Sequence, residues 1–136
     1  MKKTALLNRH LSALVASLGH MDEIVVADAG LPVPAGTDVI DLAVTAGVPS
    51  LAQVLSALRS ELVIEGAVYA EEAGVETEKL MQRELSAWRA GTETGNPVTK
   101  VSHTAFKART AKARAVIRTG ETTPYANIIL ISGVAF

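Results

Sequence analysis

The feature that most restricts the fold is an alternation running the length of the chain. Short apolar runs that close on polar or turn residues are separated by stretches whose apolar residues recur at helical spacing. Leu11, Leu14, Val15 and Leu18 fall at i, i+3, i+4 and i+7. With Asn8 as N-cap and Gly19 as the residue past the end, they predict a helix over 9–18. Glu23 to Asp28 reads as a buried strand, 30–36 as loop, and Val39 to Val44 as a strand ended by Gly47 and Pro49. Ser50 with Gln53 three residues on forms a capping-box pattern ahead of Leu51, Val54, Leu55 and Leu58, the stripe of a second helix. Leu62 to Tyr69 is a strand, and a third helix covers about 76–90 with Met81, Leu85 and Trp88 on one face. After a surface loop at 92–97 come a brief strand at 98–101 and a helix over about 103–112. Strands at 115–118 and 128–131 follow.

This order predicts an α/β fold: a single domain over residues 1–136, three layers deep, with helices on both faces of a mixed central sheet. The close pairs near 25/40 and 116/130 are the expected antiparallel neighbours. Apolar residues make up 49% of the chain against 20% charged, with a mean hydropathy of +0.27. So small a domain has a high surface-to-volume ratio, and part of that apolar area is expected to be covered by other subunits.

Composition also excludes chemistry. There is no cysteine, hence no thiol nucleophile, thiolate metal site or disulfide framework. No HxxxH pair or clustered His, Asp and Glu spacing points to a metal, and no GxSxG elbow, P-loop or GxGxxG is present. A net charge of -1 exerts no global pull on nucleic acid or anionic lipid. No apolar run approaches the roughly 20 residues of a membrane span, and Asn8, Arg9 and His10 interrupt any signal-peptide core. A cytoplasmic protein without membrane insertion is expected.

General acid/base chemistry remains, and the histidines are its obvious agents. His20 follows Gly19 at the carboxyl end of the first helix, where the dipole and Asp22 favour a protonated imidazole; it serves either as a proton donor or as a cap on the last carbonyls. His103 opens a helix if Ser102 is its N-cap, and the positive dipole end there favours a neutral, hydrogen-bond-accepting ring. His10 lies on a polar face and reads as solvated. Asp28 ends a strand ahead of a Gly/Pro loop, where it either holds ligand hydroxyls or ties down the turn. Tyr125 and Asn127 offer a flat apolar face with a hydroxyl, and a paired donor and acceptor, a mixture suited to a sugar or to ordinary turn chemistry. Lys100, Lys107, Arg109, Lys112, Arg114 and Arg118 occupy a stretch without acids, best read as a solvated face rather than a phosphate or nucleic-acid patch.

Four segments in this order and spacing resemble the D-ribose pyranase family: Gly19-His20-Met21-Asp22-Glu23, Asp28-Ala29-Gly30-Leu31-Pro32, Gly47-Val48-Pro49-Ser50 and Pro124-Tyr125-Ala126-Asn127-Ile128-Ile129-Leu130. The resemblance runs from Lys3 to Phe136 and is loosest between about 74 and 98. It implies a cytoplasmic isomerase that interconverts the β-pyranose and β-furanose forms of D-ribose so that ribokinase receives the furanose. It also implies no metal or organic cofactor, and a ring-shaped homodecamer of two stacked pentamers with sites at subunit contacts. By motif, His20 matches the family's proton donor. Asp28, His103 and the Tyr125–Asn127 segment match its sugar-binding positions. The related L-fucose mutarotases carry a histidine where this chain has Gly30, and Tyr-Gly-Asn where it has Tyr125-Ala126-Asn127, so the resemblance favours ribose. The rival expectation is a non-catalytic ribose-binding or regulatory subunit of uptake machinery.

Overall fold

The computed structural model describes residues 1–89 and 97–136, so the loop expected at 92–97 lies, apart from Pro97, outside the described residues. The elements run α1 (Arg9–Ser17), β1 (Glu23–Ala27), β2 (Val39–Asp41), α2 (Leu51–Arg59), β3 (Ile64–Ala70), α3 (Val75–Arg89), β4 (Val98–Val101), α4 (His103–Thr110), β5 (Ala115–Arg118) and β6 (Ile128–Ser132). Each predicted element forms, and the differences are at the ends. The capping box of α2 is complete, and its four stripe residues are buried. Leu62 to Val63 drops out of the third strand because Leu62 N–H still bonds the Leu58 carbonyl at 2.9 Å. Val39 to Val44 shortens to three residues, since β5, its ladder partner, ends at Arg118. Gly19 is not a left-handed C′ residue: α1 stops at an extended Leu18, and Gly19 begins a separate turn.

The six strands form one mixed sheet in the order β2-β5-β1-β6-β3-β4. The expected antiparallel neighbours are corrected. Strand β5 separates β2 from β1, and β1 separates β5 from β6. The mixed character comes from β6 alone, which runs antiparallel to β1 and β3 while the remaining pairs are parallel. β1, lying between β5 and β6, is buried on both faces, which explains its unbroken apolar run.

One face packs α1, α2 and α3 through Leu11, Leu55, Leu58, Met81, Leu85 and Trp88 against Ile24, Val26, Tyr69, Ile117 and Leu130. Trp88 Nε1–H donates to the Leu62 carbonyl at 2.7 Å, satisfying its polar edge. The other face is covered more thinly, by Phe106 of α4 and by Leu31 and Val33 of the loop after β1. That thin cover leaves the carboxyl ends of β1 and β5 close to the surface.

Candidate active site

Asp28 leaves the carboxyl end of β1 and is gripped twice. Its Oδ1 accepts Gly30 N–H at 2.9 Å, which makes the turn. Its backbone N–H donates to Asn127 Oδ1 at 2.7 Å, and its Oδ2 accepts from Asn127 Nδ2 at 2.9 Å. The turn-forming role expected of Asp28 is therefore present, and the same residue lines a cavity. Asn127 is 1% exposed and supports the site from beneath.

The β5–β6 loop supplies the second wall. Thr119 N–H and Oγ1 both donate to the Ala27 carbonyl, and Ala29 N–H donates to the Glu121 carbonyl at 2.8 Å, so this loop is laced to the end of β1. Glu121 spreads its carboxylate between Thr123, whose N–H and hydroxyl both donate to it, and the N–H of Leu51 at the start of α2. Burial alone would raise its pKa. Hydrogen bonds from the Thr123 hydroxyl and from the backbone of Leu51, Thr123 and Thr122 outweigh that and hold it below its ordinary 4.5. The loop closes on Tyr125, a non-glycine residue at φ +61.

His103 brings the third element. Ser102 caps α4 through Oγ to Ala105 N–H, as expected, and His103 is the first helical residue. Its N–H donates to both carboxylate oxygens of Glu72, at 3.1 and 2.8 Å, and this bond keeps Glu72 ionised to below the usual carboxylate range. The imidazole meets Tyr125 edge-on, with centroids 4.9 Å apart and planes at 83°, and stacks over Phe106 at 6.4 Å. Its Nδ1 is buried without a protein partner.

Asp28, His103, Tyr125, Gly30 and Glu121 line one cavity of about 480 Å³. A larger cleft of about 610 Å³ lies elsewhere, between Met21 to Glu23 and α4. Its carboxylates are already committed to cations, Glu23 to Arg109 at 2.5 Å and Asp22 to Arg114 at 2.9 Å, whereas the smaller cavity gathers an acid, an imidazole and a phenol that make no ion pair among the described residues. Of the basic residues between 100 and 118, Lys100 and Arg118 are also paired, with Glu78 and Asp41.

His20 does not join this cluster within one chain. It sits in the turn before β1, and the five residues of that strand, spanning about 16 Å, separate it from Asp28. Asp22 does not hold the imidazole either. Asp22 Oδ2 takes Gly19 N–H at 2.8 Å and Arg114, while His20 Nε2 lies 2.8 Å from Glu65 Oε2. The helix-end placement also fails, because α1 has ended three residues earlier.

Sequence reading missed Glu65, Glu72 and Glu121. Glu65 and Glu72 meet their partners across 45 and 31 residues of chain, and Glu121 joins Thr123, two residues on, to Leu51 across 70. Among the described residues, no group of three or more His, Cys, Asp or Glu could hold a metal ion, and no helix is long and apolar enough to cross a membrane.

Fold and cavity together define a mixed-sheet α/β protein whose strand-end cavity gathers an acid, an imidazole and a phenol above a supporting amide. The chain belongs to the RbsD / FucU transport protein family, whose profile matches residues 1–135. It is 50% identical over 139 residues to the D-ribose pyranase of Serratia proteamaculans, and 46% identical over 136 residues to that of Halalkalibacterium halodurans, in both cases over the whole of each chain. Bacillus subtilis RbsD, solved in complex with D-ribose, superposes with a TM-score of 0.89 at 42% identity, over all of both chains. The fucose mutarotase of Streptococcus pneumoniae, solved with L-fucose, shares the fold at a TM-score of 0.82 and 24% identity, again over all of both chains.

Proposed function

We propose that this chain is a D-ribose pyranase, an isomerase that interconverts the β-pyranose and β-furanose forms of D-ribose without a cofactor. The observation that supports this most is the convergence of Asp28, His103 and Tyr125 on one cavity over Asn127, in a chain half identical to pyranases along its whole length. Asp28, held from beneath by Asn127, binds sugar hydroxyls, and Tyr125 packs on a CH face of the ring. His20 is the general acid.

In the opening step the bond between C1 and the ring oxygen breaks. The ring oxygen takes a proton from His20, while the anomeric hydroxyl passes its proton toward His103 and C1 becomes the aldehyde carbonyl. The 4-hydroxyl then attacks C1, giving its proton back to the His20 imidazole, and the carbonyl oxygen is reprotonated from the His103 side. Proton transfer of this kind contributes about 10² to 10⁴-fold, enough for a ring change that also proceeds unaided. The furanose so produced supplies a phosphorylation step of the kind carried out by ribokinase, in keeping with a cytoplasmic protein.

His20 and the Asp28 cluster lie at opposite ends of β1, so one complete site draws on two copies of the chain. A head-to-tail contact between unlike ends gives a ring when the rotation from copy to copy closes, in keeping with a decamer of two stacked pentamers. Exposed apolar residues at both ends support this: Val44 and Val48 on the loop bonded to Gly120, and Met21, Val63 and Val134 around the His20 turn.

The test is ring-exchange NMR on D-ribose and L-fucose with purified protein and with the His20→Ala variant. Faster ribose exchange, lost in the variant, is expected. Binding without acceleration would identify a ribose-binding subunit instead, and full exchange by His20→Ala would remove His20 from the mechanism.

A further inference from the structure

The turn that carries His20 is built with unusual care for an exposed segment. Asp22 N–H donates to the Gly19 carbonyl at 3.2 Å, and Asp22 Oδ2 accepts Gly19 N–H at 2.8 Å, so the four residues from Gly19 to Asp22 are closed from both sides. Met21 takes φ +70 at the third position, the left-handed geometry of a type II turn that normally calls for glycine. His20 is thereby fixed at the outer corner. Met21 N–H donates to the Ser132 carbonyl at 2.9 Å, and Ser132 N–H donates to the Asp22 carbonyl at 2.8 Å, which anchor the turn on the end of β6.

Strand β3 lies on the other side of β6, and its ladder slips at this level. Ile64 pairs with Ser132 and Gly66 with Ile131, so Glu65 is an extra residue in a bulge. A bulge re-aims its side chain, and here the carboxylate reaches past β6 to His20. The contact, Glu65 Oε2 to His20 Nε2 at 2.8 Å, joins side chains that are 33% and 59% exposed. A polar contact this open adds little to folding stability, so stability does not explain a bulge and a left-handed methionine at this place. Orientation does. A carboxylate on one ring nitrogen fixes the ring plane and keeps a proton on that nitrogen, leaving the other free to exchange.

We infer that Glu65 is the positioning residue of His20, holding Nε2–H so that Nδ1 is the nitrogen that gives its proton to the sugar ring oxygen and takes it back on reclosure. The inference rests on the reading of His20 as the general acid. The other charged groups around the turn are already committed, Asp22 to Arg114 and Glu23 to Arg109, which leaves Glu65 as the carboxylate in contact with this imidazole among the described residues.

The experiment compares the full-length wild type with Glu65→Ala, Glu65→Gln, His20→Ala and the Glu65→Ala/His20→Ala double variant. Ribose exchange is followed by NMR, and the ring nitrogens by ¹⁵N-histidine spectra, His20→Ala assigning the His20 signals. Expected in Glu65→Ala are a kcat roughly tenfold lower with KM within about twofold, and a His20 ring that changes from the Nε2–H tautomer to a mixture. Glu65→Gln, which keeps an acceptor oxygen, restores the tautomer and part of kcat. In the His20→Ala background, removing Glu65 adds no further loss. An unchanged tautomer, or an equal loss of rate in the His20→Ala background, overturns the inference. Full exchange by His20→Ala together with a changed tautomer in Glu65→Ala leaves the pairing intact and overturns only the acid role on which it rests.

Discussion

Asn127 and Asp28 exchange two hydrogen bonds across 99 residues of sequence, at 2.7 and 2.9 Å, one to the backbone and one to the carboxylate. This reciprocal clasp joins the start of β6 to the end of β1 and fixes the acid that faces the cavity. Asn127→Ala leaves the Asp28 N–H and one carboxylate oxygen without these partners in a half-buried setting. The expected cost is about 1–3 kcal/mol of stability, with ribose affinity at least roughly tenfold weaker. Thermal unfolding and calorimetric titration with ribose measure the two effects; a variant with native stability and affinity would show the clasp to be dispensable.

Gly120 sits where no side chain fits. A Cβ there would lie 2.5 Å from the Val48 carbonyl and 2.6 Å from that of Thr45, both backbone atoms that cannot swing away. Gly120→Ala must push the 44–49 turn off the site loop, breaking the bonds from Gly120 N–H to the Pro49 carbonyl and from Gly47 N–H to the Gly120 carbonyl. The expected destabilisation is about 2 kcal/mol or more, read from denaturant midpoints at constant m.

Tyr125 separates backbone strain from ring contact. At φ +61 any residue but glycine is strained, and the ring also touches His103 edge-on. Tyr125→Gly loses the ring and relieves the strain, whereas Tyr125→Ala loses the ring and keeps the strain. The glycine variant should be more stable than the alanine variant by about 1 kcal/mol, while both raise KM for ribose by a similar factor. Equal stability of the two would show that the left-handed residue is not strained.

Acid should loosen the site through Glu121. Its folded pKa lies below its ordinary 4.5, so the unfolded chain binds the proton more readily. The stability it contributes is therefore present above about pH 4.5 and is lost as pH falls through the lower folded value. Ribose affinity measured from pH 6 down to pH 3.5 should drop over the acid end of this range. Glu121→Gln should bind more weakly at pH 6 and lose that component of the acid dependence. An identical profile for wild type and variant would exclude Glu121 as the group responsible.

Much of this architecture is legible locally. The α2 stripe and capping box, the Ser102 cap and the buried run of β1 depend on neighbours within a few residues, where helical period and capping chemistry act. Asp28, His103, Tyr125 and Asn127 could be named because acids at strand ends and polar residues in loops advertise themselves. The gathering of the first three around one cavity, with Asn127 beneath, could not be read in this way. Strand order depends on which edges pair, and β6 inserts itself between β1 and β3, the nearer of the two in sequence, β3, pairing its Tyr69 with Ile128.

The amino-acid order alone thus determined the elements, their ends to within a few residues, and the side chains capable of acid/base work. Only the tertiary structure decided that Asp28, His103 and Tyr125 share one cavity without His20, and that the carboxylate partner of His20 is Glu65 of a β3 bulge rather than the nearby Asp22. The reason is physical: periodicity and capping are short-range, whereas register, bulges and the pairing of charges are settled by packing between segments far apart in the chain.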